Sequence, residues 1–440
     1  MKKVQNRSLS VMLLVIVALL GMGFYVVRYV MYGAQWASAP FNRTVFDGGM
    51  LAVGSVVDRN GVVLADVSDG RRTFAENADV RRATLHAVGD REGNIGTGAL
   101  SVFASDLMGF NLITGSYFVG GAGREIELTI DAHVSAVALR ALDGQRGVVM
   151  VSNFETGEII AMVSSPTFDP VNPPATFDEG VFVNRGIQSA FTPGSVYKVI
   201  TAAAAIEQVS NVFDRQFYCN GGFDVSGLRV TCPGNHGSLD IIRGMQVSCN
   251  VVYGQLALEI GGSTMARYAE QFGVSGRTTV SGIQTANGNF DAAPNNSADL
   301  AWSGIGQFTN TVCPASMLRF MGAIGNGGNA VGLHYIQRTG FVSLLPPSTE
   351  RIMTRNTAQQ LSEVIEIQNR QNFPGLQIYA KTGTAQVGGG HSPHAWFVGY
   401  ITNPGFPYAF VVVVENSERG GGAAVAAPIA NQVLQAAVGR

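Results

Sequence analysis

Lysine is the scarcest informative residue in this 440-residue chain, occurring only as Lys2, Lys3, Lys198 and Lys381, while every other basic residue is arginine. Charged side chains make up only 14% of the sequence, and the net charge of −2 comes with no basic block, which argues against a nucleic-acid partner. There are four cysteines, no internal repeat and no low-complexity run. The hydrophobic share is 46%, enough for a large core divided among two or three domains. An arginine bias explains the scarcity of lysine but not the placement of the two lysines beyond the N-terminal tip. Arginine stays protonated in proteins, whereas a buried lysine can give up its proton.

Lys198 lies in Phe191-Thr-Pro-Gly-Ser195-Val-Tyr-Lys198-Val-Ile, the stretch around which the chain is organised. Pro193 and Gly194 predict a tight turn, and Val196, Val199, Ile200 and residues 202–206 predict a buried helix with Ser195 in its first turn. Positions i and i+3 share a helix face, so Lys198 falls beside the Ser195 hydroxyl. A desolvated neutral amine there can take the serine proton, and the helix N-terminus suits a developing oxyanion.

Two further stretches follow at separations of about 50 and then about 130 residues. The first is Ser248-Cys-Asn250. Ser248 could relay a proton between Lys198 and a leaving amine, and the Asn250 amide could hold Lys198 or a substrate peptide bond. The second is Lys381-Thr382-Gly383-Thr384, on a predicted strand over 376–387 with Leu376, Ile378 and Ala380 on one side. Gly383 leaves room for a substrate backbone to pair as an added strand. Lys381, Thr382 and Thr384 would meet a substrate carboxylate, and the backbone N–H groups of Ser195 and Thr384 are the natural oxyanion pair. Each motif alone is weak, and both polar stretches have structural readings: a turn or cap for Ser248 and Asn250, a solvated edge charge for Lys381. All three in this order are the signature of penicillin-binding proteins and class A β-lactamases.

Residues 8–27 are uncharged and apolar, long enough to span a bilayer, and are preceded by Lys2, Lys3 and Arg7. The expected organisation is a cytoplasmic tip (1–7), an uncleaved anchor (8–30), a mixed membrane-proximal module (31–127) and a catalytic domain outside the membrane (128–440). Ala37-Ser-Ala39 resembles a signal cleavage site, but the apolar run is longer than a signal core and residues 28–35 intervene. In the module, residues 54–64 predict a β-hairpin with Asn60-Gly61 as a two-residue turn. The paired arginines at 71–72 and 81–82 read as solvated faces. From residue 128 onward the pattern is a helix capped by Asp131, two strands either side of 153–157, a helical insert, three strands and a closing helix over 424–438 marked by Pro428. This is an α+β arrangement, a five-stranded antiparallel sheet covered by helices.

The chain resembles the class B penicillin-binding proteins, membrane-anchored peptidoglycan D,D-transpeptidases. The resemblance rests on the three motifs together with Asp58-Arg-Asn-Gly61, Leu128-Thr-Ile-Asp131, Gly157-Glu-Ile-Ile-Ala-Met-Val-Ser164, Phe168-Asp-Pro170, Gly304-Ile-Gly-Gln307 and His394-Ala-Trp-Phe-Val-Gly399. It implies the serine transpeptidase (β-lactamase-like) fold, a penicillin-sensitive serine and stem peptides ending D-Ala-D-Ala as substrate. It also implies a polytopic glycan polymerase partner in the membrane and no cofactor or metal. The membrane-proximal region is shorter than in many members, and 100 residues leave no room for a glycosyltransferase domain. A β-lactamase would need a deacylating carboxylate, for which Glu259 and Glu270 lack a supporting motif. A D,D-carboxypeptidase and a non-catalytic β-lactam or wall-fragment sensor are the other readings.

Cys219 and Cys232, with twelve residues between them in a Gly-, Asn- and Pro-rich stretch, are the candidate disulfide pair. Cys249, inside the second motif, reads as a free thiol. His236, His391 and His394 lie near motif segments but are not at metal-ligand spacing supported by other ligands, which points to surface or structural roles.

Overall fold

The architecture is that of a computed structural model, which describes residues 2–37, 46–47, 50–51, 53–69, 71–109, 123–337, 346–367 and 370–439. The alanine–serine–alanine stretch that resembles a cleavage site runs into residues outside this set. Helix α1 (Lys2–Ala37) contains an exposed span, Arg7–Gly33, with mean hydropathy 2.6, long and apolar enough to cross a membrane.

Strands β1 (Ser55–Val57), β2 (Val63–Ser68) and β3 (Arg71–Phe74) precede helix α2 (Ala78–Val88), and β4 (Glu125–Glu127) returns to β1. They form a four-stranded sheet ordered β3-β2-β1-β4, in which β1 and β4 are parallel. The predicted hairpin is present, but its turn is wider than two residues, because Val57 pairs with Val63. The Asp58 carboxylate holds this wider loop by accepting from the backbone N–H of Asn60 and Val62, both at 2.8 Å. The arginine pairs also depart from the solvated reading. Arg72 is buried and donates to the Gly54 and Val53 carbonyls, and Arg81 forms a two-pronged pair with Asp169 at 2.7 and 2.6 Å. Only Arg71 and Arg82 are exposed.

The larger unit begins with helix α3 (Ala132–Leu142), whose cap Asp131 accepts from the Val134 N–H at 2.9 Å. Strands β5 (Gly147–Asn153) and β6 (Ile159–Ser165) follow. The insert carries α4 (Lys198–Gln208), β7 (Phe217–Cys219), β8 (Gly222–Val225), β9 (Leu228–Thr231), β10 (Gly237–Leu239), α5 (Ile241–Gln246) and α6 (Asn250–Ile260). Strands β11 (Ile378–Ala385), β12 (His394–Asn403) and β13 (Phe406–Val414) and helix α7 (Ala426–Ala437) complete it, with Pro428 in the first turn of α7. The five-stranded antiparallel sheet runs β11-β12-β13-β5-β6, as the sequence pattern predicted.

The strands are buried on both faces, and period-2 alternation feeds two apolar layers. Val148, Met150, Trp396, Val398, Val411 and Val413 face the insert, while Val149, Val151, Phe397, Phe410 and Val412 face α3 and α7. Edge strand β11 therefore presents one free side next to the insert, and the cleft forms there.

Candidate active site

Ser195 lies in a single 3₁₀ turn, Gly194–Tyr197, which runs directly into α4. The first eight residues of α4, Lys198 included, are buried, because Val199, Ile200 and residues 202–205 are apolar around the whole circumference. Gly194 takes φ +56, and a side chain there would meet Ala385 and the Thr384 carbonyl at 2.9 Å. The serine turn is thus packed directly against β11.

Lys198 is fully buried, and its Nζ has four oxygen neighbours: the Ser248 carbonyl at 2.7 Å, Asn250 Oδ1 at 2.7 Å, Ser195 Oγ at 3.0 Å and Ser248 Oγ at 3.2 Å. The first two can only accept. A neutral amine has two N–H donors and one lone pair, so with the donors given to those acceptors the lone pair is left for a hydroxyl proton. Ser195 is the nearer hydroxyl. Burial pushes the Lys198 amine well below its ordinary value, and the second ammonium, Lys381, pushes in the same direction.

Ser248 has a left-handed backbone (φ +54) on the turn between α5 and α6. Its hydroxyl lies between the two lysines, 3.2 Å from Lys198 Nζ and 3.0 Å from Lys381 Nζ. Asn250 is the first residue of α6 with Cys249 as cap, so its side chain is spared from capping. It accepts from Lys198 and donates to the Thr231 carbonyl at 2.8 Å.

Lys381 stands on β11 beside Ser248. It is buried and donates to Ser248 Oγ at 3.0 Å and to the Thr382 carbonyl at 2.9 Å. Burial lowers its amine to about 8. Thr382, Gly383 and Thr384 do line the cleft, which has a volume of about 1010 Å³. Gly383 also has a packing role, since a Cβ there would lie 2.9 Å from Val196 Cγ1 and 3.0 Å from the Pro193 carbonyl. All the residues expected to act together therefore meet around one cleft: Ser195, Lys198, Ser248, Asn250 and the 381–384 segment. No carboxylate lines that cleft among the described residues. Glu259, weighed as a deacylating residue, pairs with Arg215 on the surface instead.

Sequence reasoning missed Trp302, Gln307 and His391 as cleft-lining residues. Gln307 stands in a segment that carried the resemblance, whereas nothing in the local pattern around Trp302 or His391 marks them. The cysteine expectation fails as well: Cys219 and Cys232 are free thiols and not a disulfide. His236, set aside for its spacing, joins them and Cys249 in one group beneath the Ser248–Asn250 turn, with the ligand atoms within 4.8 Å of one another.

A buried lysine against a cleft-lining serine, with a bridging second serine and an open sheet edge, defines a serine acyl-transfer fold. The family signature "Penicillin binding protein transpeptidase domain" matches residues 147–435, and the chain belongs to that family. Among curated relatives, peptidoglycan D,D-transpeptidase PbpA of Mycobacterium tuberculosis is 26% identical over 367 residues, covering 72% of this chain and 73% of its own. Stage V sporulation protein D of Bacillus subtilis is 28% identical over 347 residues, covering 71% and 53%. Among solved structures, penicillin-binding protein A of M. tuberculosis superimposes with a TM-score of 0.75 at 24% identity, over 88% of this chain and 99% of that one. The D,D-transpeptidase domain from Eggerthella lenta gives the same TM-score and identity, over 88% and 98%.

Proposed function

We propose that the protein is a peptidoglycan D,D-transpeptidase that works through a Ser195 acyl-enzyme. The observation that carries this reading is Lys198 Nζ at 3.0 Å from Ser195 Oγ, with the Ser248 carbonyl and Asn250 Oδ1 as its two fixed acceptors. Neutral Lys198 takes the Ser195 proton as Oγ bonds to the carbonyl carbon of the penultimate D-alanine. Backbone N–H groups of Ser195 and Thr384 hold the resulting oxyanion. The carbon–nitrogen bond to the terminal D-alanine then breaks, and the proton passes from Lys198 through Ser248 to that leaving amine. An amine of a second stem peptide attacks the ester, gives up its proton by the reverse route and frees Ser195. The Thr382 and Thr384 hydroxyls meet the substrate carboxylate, while Lys381 keeps Ser248 oriented and biases Lys198 toward its neutral form.

A β-lactam would enter the same path and stop at the ester. One solved relative, the M. tuberculosis protein with ceftriaxone, is such an acyl-enzyme. The absence of a carboxylate from the cleft lining among the described residues supports a long-lived adduct and disfavours β-lactamase turnover. We place the apolar N-terminal helix across the membrane with the catalytic domain outside, following Lys2, Lys3 and Arg7 on the short flank. A polytopic glycan polymerase is the partner proposed for that arrangement.

Fluorescent penicillin added to the full chain in detergent tests the reading. Labelling is expected at one site, lost in Ser195→Ala and persistent over hours in the parent. A Ser195→Ala protein that labels like the parent refutes the assignment, and rapid release of hydrolysed drug would replace transpeptidase with hydrolase.

A further inference from the structure

The group beneath the second motif has dimensions that neither packing nor a disulfide explains. Cys219 ends β7, His236 precedes β10, and the two strands pair with Gly237 opposite Cys219, which brings the histidine ring onto that sulfur. Cys232 follows β9, and Cys249 caps α6. His236 Nδ1 lies 3.5 Å from Cys219 Sγ and 3.6 Å from Cys232 Sγ, and the Cys232 and Cys249 sulfurs are 3.9 Å apart.

These distances can be compared with a metal-centred tetrahedron. Zinc binds thiolate sulfur at about 2.3 Å and imidazole nitrogen at about 2.0–2.1 Å. Tetrahedral angles then place sulfur from sulfur at about 3.8 Å and sulfur from nitrogen at about 3.6 Å. The two sulfur–nitrogen separations and the Cys232–Cys249 sulfur separation match those edges, and all four ligand atoms lie within 4.8 Å of one another. A disulfide would need sulfurs about 2.05 Å apart. Three soft thiolates and one imidazole suit zinc over calcium or magnesium, and four protein ligands close the site to a reacting water. Cys219 and Cys249 are fully buried, and the Asn250 backbone N–H donates to Cys232 Sγ at 3.3 Å, the kind of outer bond that orients a thiolate ligand.

We propose that Cys219, Cys232, His236 and Cys249 hold a structural zinc ion that fixes the Ser248–Asn250 turn against strands β7 and β10. One ligand is the central residue of the motif itself. A second, Cys232, accepts from the Asn250 backbone, and its neighbour Thr231 accepts from the Asn250 side chain. The ion therefore sets where Ser248 Oγ and Asn250 Oδ1 stand relative to Lys198. It takes no part in the chemistry, and its presence is independent of whether the acyl-transfer reading holds.

The full chain, purified in detergent without chelators or a metal-affinity tag, is expected to carry about one zinc per chain. Cobalt substitution is expected to give visible d–d bands and near-ultraviolet thiolate charge-transfer bands of a tetrahedral thiolate site. Cys219→Ser and His236→Ala should lose the metal, and His133→Ala, on the exposed side of α3, should keep it. Removing zinc from the parent protein should slow fluorescent-penicillin acylation about tenfold, with recovery on zinc addition. A parent protein without zinc even after zinc addition, a Cys219–Cys232 disulfide in non-reducing peptide maps, or metal kept by both variants overturns the site. An acylation rate unchanged on zinc removal overturns its positioning role. Because metal content and cobalt spectra are read on the parent chain, a variant that fails to fold does not shield the proposal.

Discussion

At the scale of single residues, the site depends on a proton inventory around Lys198. Its two fixed acceptors, the Ser248 carbonyl and Asn250 Oδ1, would be satisfied by either protonation state, so they do not choose between them. Burial and the second ammonium do choose, and both favour the neutral base. That choice has a pH signature. Acylation should rise with pH as Lys198 loses its proton, through a limb well below the ordinary lysine range. It should fall again near pH 8, where Lys381 loses the charge that it directs at Ser248 and Lys198. The measurement is the second-order acylation rate of a chromogenic β-lactam against pH. A rate that is flat from neutral pH to well above 8 would remove Lys381 from the role given to it.

At the scale of elements, one contact decides whether the site exists. The 3₁₀ turn with Ser195 and edge strand β11 approach so closely that both need glycine: Gly194 on the turn, Gly383 on the strand. Sequence reasoning gave Gly383 to the substrate backbone. The structure gives it first to Val196 and Pro193, with only 2.9–3.0 Å for a methyl group. Gly383→Ala should therefore force the strand and turn apart, at a cost of about 1–3 kcal/mol from overpacking. Acylation should fall at least tenfold, while the far-ultraviolet circular dichroism stays that of the parent. A variant acylated at the parental rate would show that the strand gives way without disturbing Ser195. The sheet itself was legible: strands flanking 153–157 and three strands after 376 are long apolar runs, and alternation sorts them into two layers. The hairpin turn at 58–62 was misread because a favourable Asn-Gly pair is a local signal. The Asp58 carboxylate, accepting two backbone N–H groups, outweighs it.

At the scale of the whole molecule, α2 and its four-stranded sheet are tied to the larger five-stranded unit. Arg81 on α2 reaches Asp169, which follows β6, and the pair is largely shielded from water. The arginine lowers the Asp169 carboxyl below its ordinary value. The sign follows from linkage: the pair's contribution is present above the ordinary carboxylate range and disappears as pH falls through the lowered value. Asp169→Ala should destabilise the chain by about 1–2 kcal/mol at neutral pH, with a smaller difference at strongly acid pH. Urea unfolding of both proteins at the two pH values checks it; equal destabilisation at both would mean that lost packing, not charge, is responsible.

The sequence alone determined which residues could carry the chemistry, because that information is local. A lysine three residues after a serine shares its helix face whatever the rest of the chain does, and two isolated lysines in an arginine-rich chain advertise a titratable amine. What only the tertiary structure decided is which distant groups share a desolvated space. Burial and long-range contact turned Lys381 toward Ser248, drew Arg72 and Arg81 out of solvent, and gathered Cys219, Cys232, His236 and Cys249 into one group. Coordination and desolvation depend on distances in space, and spacing along the chain does not encode those distances until strands β7 and β10 pair and α6 is set against them.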